Sequence, residues 1–361
     1  MGQQAKHRVT TYLQWAMLGM VPVAVGVRYL VPDAALLLFV ASALGIIPLA
    51  GLMGHATETL AHRLGSGIGG ILNATFGNAA ELIIAVVALR AGQVEMVKAS
   101  LTGSIIGNIL FVLGAAMLVG GIGRRRQTFN AQAAGTAASM MLLAVAALIL
   151  PTFFHLMVRN ETIEGIQQLS AGIAVVLLVT YLLGLVFTLK THKHLYTEAD
   201  EVVEDSPAPS SSAGAVTTLV IATVLIAVLS EYLVASAEHA GKALNLSNTF
   251  IGVMVIAVVG NAAEHSTAVL VAWKDKMNLA ITIAVESSRQ IALFVAPVLV
   301  LLGLAFNQPM TLEFSLLEVA AVGVAVLIVN SIAQDGESNW LEGAMLLAMY
   351  LILGIAFYFL P

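Results

Sequence analysis

Gly77-Asn78-Ala79-Ala80-Glu81 recurs, residue for residue, as Gly260-Asn261-Ala262-Ala263-Glu264, at an offset of 183 residues. The same offset carries Ser104 onto Ser287 and Leu110-Phe111-Val112 onto Leu293-Phe294-Val295. The correspondence runs through two consecutive apolar segments, too far for the chance recurrence of a pentapeptide. Each copy of the pentapeptide lies inside such a segment. Glu81 is followed by Leu-Ile-Ile-Ala-Val-Val, and Glu264 sits in the middle of 248–272.

Working outward, the chain around these repeats is built for lipid. Of its 361 residues 59% are hydrophobic and 10% charged, and the mean hydropathy is +0.94. A soluble domain carries about 25% charged residues, so most of this surface has to face hydrocarbon. Cysteine is absent, which removes disulfides and thiolate metal sites. A net charge of -5 offers no basic surface for nucleic acid.

A membrane helix needs roughly 20 mostly apolar residues. Eleven segments qualify, near 12–30, 34–56, 70–90, 97–120, 130–151, 169–190, 215–241, 248–272, 278–304, 312–333 and 341–360. Pro32 and Asp33 end the first, His62 to Gly70 the second, and Arg124, Arg125 and Arg126 the fourth. A signal peptide is the other reading of the first segment, with Lys6 and Arg8 as its basic start. Pro22, Arg28 and the lack of a small-residue cleavage site before Arg28 favour a retained helix.

Lysine and arginine collect in cytoplasmic loops. A cytoplasmic N-terminus puts Lys6, Arg8, Arg63, Arg124, Arg125, Arg126, Lys190, Lys193, Lys274 and Lys276 inside. It leaves Arg28, Arg90, Lys98, Arg159 and Lys242 outside. Ten against five favours that orientation, and the short N-terminus favours a prokaryotic plasma membrane. The stretch from His192 to Ala213 holds five acids, two prolines and a serine run. It cannot build a core and reads as a solvated linker.

The chain therefore divides into an N-terminal helix (1–33), a first five-helix repeat (34–190), an acidic cytoplasmic linker (191–214) and a second five-helix repeat (215–361). Five crossings are an odd number, so the second repeat enters from the opposite face. The expected fold is an all-α integral membrane protein with inverted-topology repeats. Such repeats are typical of secondary transporters, whose sites lie near mid-membrane at the repeat interface.

Glu81 and Glu264 carry the chemistry. A charge at the bilayer centre costs about 2.5 kcal/mol or more, and such residues persist where they face a cavity and bind something. The bland alternative is a pair of protonated glutamates, each bonded to a neighbouring helix. Gly77 and Gly260 permit a helix break that frees carbonyl oxygens. Asn78 and Asn261, three residues before the acids, share their helix face. Ca²⁺ takes about 6–8 oxygens in irregular geometry, whereas Mg²⁺ dehydrates reluctantly. Two carboxylates match one divalent ion. Close together in low dielectric and without a cation they cannot both stay ionised, and they titrate as one unit. Protons and cation then compete for the same oxygens, which is the basis of antiport.

Ser104 and its mate Ser287, with Gln290 on the same face, are candidate ligands or supports, as is Asn108. Gly103 and Gly107 have a spacing that also matches plain helix packing. Glu58 and Glu238 lie near span ends, where they either line an entrance or sit in interfacial water.

The two Gly-Asn-x-x-Glu stretches resemble those of the cation/proton exchanger (CAX) family, within the wider cation/Ca²⁺ exchanger superfamily. So do Lys98-Ala99-Ser100, Gly103-Ser104 and the run from Gln290 to Pro297. The resemblance covers nearly the whole chain. It implies Ca²⁺/H⁺ antiport by alternating access, with Glu81 and Glu264 as essential carboxylates and nearby Asn, Ser, Gln and backbone oxygens assisting. It also implies gating movement in the extended first helix of each half. One departure is Glu286-Ser287-Ser288-Arg289-Gln290, where the family carries Gly-Ser-Ser-x-Gln. Glu286 and Arg289 are three apart and so able to pair on one helix face, neutralised beside the site and tuning ion preference.

The expected partners are transported Ca²⁺ and protons, the bilayer and, as an option, further copies of the chain. No cofactor is implied. The rival readings are a Na⁺-driven Ca²⁺ exchanger, a passive cation channel and, last, an intramembrane enzyme. The last lacks any Ser-His or paired-Asp arrangement at suitable depth.

Overall fold

The computed structural model describes residues 12–158, 163–195 and 211–360. Among these, eight helices are long and apolar enough to cross a membrane: α1 (Tyr12–Leu30), α2 (Ala35–Gly65), α5 (Val94–Gly121), α6 (Ala131–Met157), α7 (Glu164–Thr191), α8 (Ser212–Leu244), α11 (Met277–Ala305) and α13 (Trp340–Tyr358). Two further crossings are broken helices. One is α3 (Ile68–Phe76) with α4 (Ala79–Arg90), bent by 44°, and the other α9 (Asn248–Gly260) with α10 (Ala262–Trp273), bent by 63°. The shorter apolar helix α12 (Leu316–Ile332) takes the remaining place. The all-helical fold of about eleven crossings, one helix followed by two inverted sets of five, is the one the repeat implied.

Several boundaries move. The second crossing does not end near 56. Helix α2 runs on to Gly65, where φ of +78° is a conformation that glycine adopts readily and other residues rarely do. His62 and Arg63 lie on its last turn, and Arg63 Nη1 reaches Ser212 Oγ at 2.9 Å, tying the end of α2 to the start of α8. The segment read as 312–333 becomes helical only at Leu316. Before it, Met310, Leu312 and Phe314 are buried without being helical. A capping box between Ser315 and Glu318 then starts α12, satisfying backbone donors that the first turn would leave open. Residues 196–210, most of the acidic linker, lie outside the described residues.

Loop contacts follow the alternation of crossings. At one end Arg124 Nε lies 3.3 Å from Asp275 Oδ1, Gln127 Nε2 donates to the same oxygen at 2.9 Å, and Asn130 Nδ2 donates to the carbonyl of Leu195 at 3.1 Å. Arg126 pairs with Glu337, and β1 (Gln127–Thr128) runs antiparallel to β2 (Glu337–Ser338). At the opposite end Arg90 sits over the Phe306 ring at 5.8 Å, and His155 lies 3.7 Å from Glu313. Each contact joins loops that alternating crossings put on one face, and the arginine-rich loop 122–130 belongs to the first of these ends.

Helices α5 and α11 form the centre. Every residue from Met96 to Ile106 is buried. Gly103 is required there, because a Cβ on it would collide with the backbone of Val253 in α9. Both helices change to π-helical bonding at matching positions, Gly107–Val112 and Ile291–Val295. Such bulges are frequent at functional sites.

Candidate ion-binding site

Both broken helices break at the repeated pentapeptide. Asn78 (φ -105°, ψ 30°) and Asn261 (φ -93°, ψ 5°) leave helical geometry, so each motif supplies the end of one half-helix and the first turn of the next. Glu81 and Glu264 stand in the first turns of α4 and α10, where the positive end of a helix dipole favours negative charge.

The asparagines, serines and glutamine between them interlock. Asn261 Nδ2 donates to Ser104 Oγ at 2.9 Å, and Ser287 Oγ donates to Asn78 Oδ1 at 2.9 Å. The two residue pairs exchange under the repeat, with donor and acceptor reversed. Asn78 Nδ2 donates to Gln290 Oε1. Asn108 Nδ2 donates to Asn261 Oδ1 at 3.2 Å and to Ser287 Oγ at 2.9 Å. Asn108 Oδ1 lies 3.2 Å from His265 Nε2. Each bond joins a residue of the first repeat to one of the second. Buried polar groups of this density fix a unique arrangement when they are satisfied.

The carboxylates lie beside this network. Glu81 packs against Gly260, four residues before Glu264, so the two acids belong to one junction of the repeats. A Cβ on Gly260 would stand 3.1 Å from Glu81 Cγ, so the glycine of one repeat makes room for the acid of the other. At Gly77 a Cβ would instead stand 2.7 Å from the carbonyl oxygen of Asn73, one turn back in its own repeat. Glu81, Ser100, Ser104, Ala257 and Gly260 line one small cavity at this junction. Glu264 Oε2 is buried and has no hydrogen-bond donor. An oxygen in that position carries a desolvation penalty of about 1–3 kcal/mol, more when charged, which a cation or a proton relieves. Among the described residues no three His, Asp or Glu side chains converge. A cation here would meet two carboxylates and neutral oxygens.

The sequence-predicted residues thus separate. Asn78, Asn261, Ser104, Ser287 and Gln290 come together, with Glu81, Glu264, Gly77 and Gly260 around them. Glu58 and Glu238 stay outside. Glu58 is exposed and 4.0 Å from His55 Nδ1, and Glu238 is half-buried and paired with Lys242 at 2.7 Å. Glu286 and Arg289 do form an ion pair, with Arg289 Nε 2.8 Å from Glu286 Oε2. It lies on the side of α11 toward α6 and α7, where Arg289 meets Met140 and Tyr181. Two residues escaped the sequence reading. His265, buried and edge-on to Phe111 at 6.0 Å, was signalled by its place beside Glu264 within an apolar span. Tyr181 carried no signal in its own helix.

The model of the sodium/calcium exchanger protein family matches residues 34–190 and 214–359. The Ca(2+)/H(+) antiporter of Aphanothece halophytica is 47% identical over 338 residues, covering 90% of this chain and 90% of that protein. The Ca(2+)/H(+) antiporter of Synechocystis sp. is 49% identical over 338 residues, covering 90% and 91%. The solved structure of native YfkE superposes with a TM-score of 0.83 at 39% identity, covering 96% of this chain and 100% of that one. With the matched regions holding both broken helices and every residue of the interlocked network, the chain belongs to the sodium/calcium exchanger protein family.

Proposed function

We propose that this protein exchanges Ca²⁺ for protons across a membrane by alternating access, with Glu81 and Glu264 as the shared binding groups. The observation that carries the reading is a pair of acids at the repeat interface, Glu81 lying against Gly260 and lining a cavity, and Glu264, one turn beyond that glycine, with a buried oxygen lacking any donor. Either one Ca²⁺ or protons neutralise the pair, so each displaces the other. Asn78, Asn261, Ser104, Ser287 and Gln290 supply neutral oxygens or hold those that do, Gly260 makes room for Glu81 of the other half, and Gly77 fits the break of its own helix. Antiport follows when the site crosses the membrane only in a neutralised form.

The relatives named for Ca²⁺/H⁺ antiport, nearly half identical over most of the chain, favour protons over Na⁺ as the counter-ion. The arginine-rich face, together with the N-terminus, is assigned to the cytoplasm on the positive-inside rule, and a prokaryotic plasma membrane is the setting we propose. The test is purified protein in vesicles loaded at acid pH. Ca²⁺ uptake is expected under a pH gradient and not under a Na⁺ gradient, and it should saturate. Uptake driven by Na⁺ alone, or a flux that never saturates, would overturn the assignment.

A further inference from the structure

The break in the first repeat is capped differently from the break in the second. In the second, the carbonyl of Ala257 accepts from Asn261 N at 3.2 Å and from Asn261 Nδ2 at 2.8 Å. The matching carbonyl in the first repeat is Ala74. There Asn78 turns its amide across the interface to Gln290 and Ser287, and the hydroxyl of Tyr181, from α7, donates to Ala74 O at 2.8 Å. The ring of Tyr181 is buried and fixed from two sides. Phe294 stacks on it at 5.2 Å, and the Arg289 guanidinium lies 5.7 Å from its centroid. Arg289 is held in turn by Glu286. Gly184, almost one turn beyond Tyr181, leaves space for this arrangement, since a Cβ there would stand 2.8 Å from Arg289 Nη1. The ring has a counterpart in Tyr350, which packs on Phe111 at 5.2 Å, but the ion pair has none: Glu286 and Arg289 correspond to Gly103 and Ile106.

We infer that Tyr181, seated by the Glu286–Arg289 pair, is a positioning residue that holds open the break before Asn78 and so sets Asn78 and Glu81 for the cation. The inference rests on the exchange reading above. A freed carbonyl inside a membrane protein must find a donor. Tyrosine supplies it, and the Asn78 amide nitrogen, unlike that of Asn261, donates to Gln290 across the interface and not to its own helix. The ion pair adds no net charge next to a cation site, and it acts through the ring.

Tyr181→Phe keeps the ring and loses the donor. In ΔpH-driven uptake its KM for Ca²⁺ should rise about five- to tenfold, with Vmax per inserted protein within about twofold of the parent. In detergent, the Ca²⁺ concentration that protects against thermal unfolding should rise by the same factor. Glu286→Gly with Arg289→Thr, which leaves no unpaired charge, should raise KM as well, and adding Tyr181→Phe should raise it no further, as expected of residues acting in series. An unchanged KM and unchanged protection in Tyr181→Phe would overturn the inference. So would a loss of Vmax alone, the mark of a purely structural role. Additive effects would remove the ion pair from the chain of action. Failure of the parent protein to take up Ca²⁺ under a pH gradient would instead sink the exchange reading, and the binding arm would still report on Tyr181.

Discussion

Replacing Glu264 by glutamine removes a unit charge and changes the shape of the side chain very little. Ca²⁺ sits about 2.4 Å from a ligating oxygen. At that separation a divalent ion and a unit charge attract with about 14 kcal/mol gross at an effective dielectric constant near 20. Desolvating the carboxylate offsets several kcal/mol of this, and the amide still offers one oxygen. A net loss of even about 3 kcal/mol lowers affinity roughly a hundredfold. The structure makes the loss larger. Glu264 Oε2 has no donor, so the oxygen that most needs a cation is the one exposed to becoming an amide nitrogen. The fold should survive, because one buried unsatisfied amide costs about 1–3 kcal/mol. Glu81→Gln should behave alike, its side chain lying against Gly260. Each variant, purified and monodisperse by size exclusion, should show no ΔpH-driven Ca²⁺ uptake in vesicles at Ca²⁺ levels that saturate the parent. Near-normal uptake by either would end the argument that the two acids form the site.

Other outcomes follow from the same geometry. Gly260→Val should abolish transport by filling the space against Glu81, since even a Cβ there stands 3.1 Å from Glu81 Cγ, whereas Gly51→Ala, whose Cβ would meet Ala263 Cβ at a comfortable 3.9 Å, should transport normally. Apparent Ca²⁺ affinity should weaken as pH falls on the binding side, because protonated carboxyls do not ligate. Affinity independent of pH with transport intact would break the competition. The chain has no cysteine, so Arg125→Cys and Asn307→Cys can be introduced singly. An impermeant maleimide should label them from opposite faces, the first from the cytoplasm, and labelling from one common face would contradict the alternation of crossings.

The elements and the site were legible in the sequence to different depths. An intramembrane glutamate after Gly-Asn, found twice, declares a break and a site because lipid tolerates neither without cause. The number of crossings follows from apolar length alone. What sequence periodicity cannot carry is which helices meet. Tyr181 looks like any interior tyrosine until α7 is laid beside α3, and its partner there is a backbone carbonyl, which has no letter in the sequence. The length of α2 was misread for a related reason. His62 and Arg63 look like a terminus, yet a helix reaching the interface can keep charged side chains in its last turn. Glu286 and Arg289 were correctly paired from their spacing, but spacing does not say which side of α11 they occupy.

Two kinds of asymmetry coexist in this pseudo-symmetric molecule, and alternating access separates them. In any one state the two halves have to differ, since one side of the membrane is sealed. The unequal bends of 44° and 63° are of a kind that two repeats can exchange. Tyr350 packs on Phe111 as Tyr181 does on Phe294, each at 5.2 Å, but the Glu286–Arg289 pair that seats Tyr181 cannot be exchanged, because Gly103 and Ile106 stand in its place. A contact present in only one of two otherwise equivalent conformations shifts their equilibrium by its own differential free energy. For a carrier whose halves trade shapes, a fixed cap on one break sets which shape is held at rest, and the symmetric network of asparagines and serines is what allows the other to be reached.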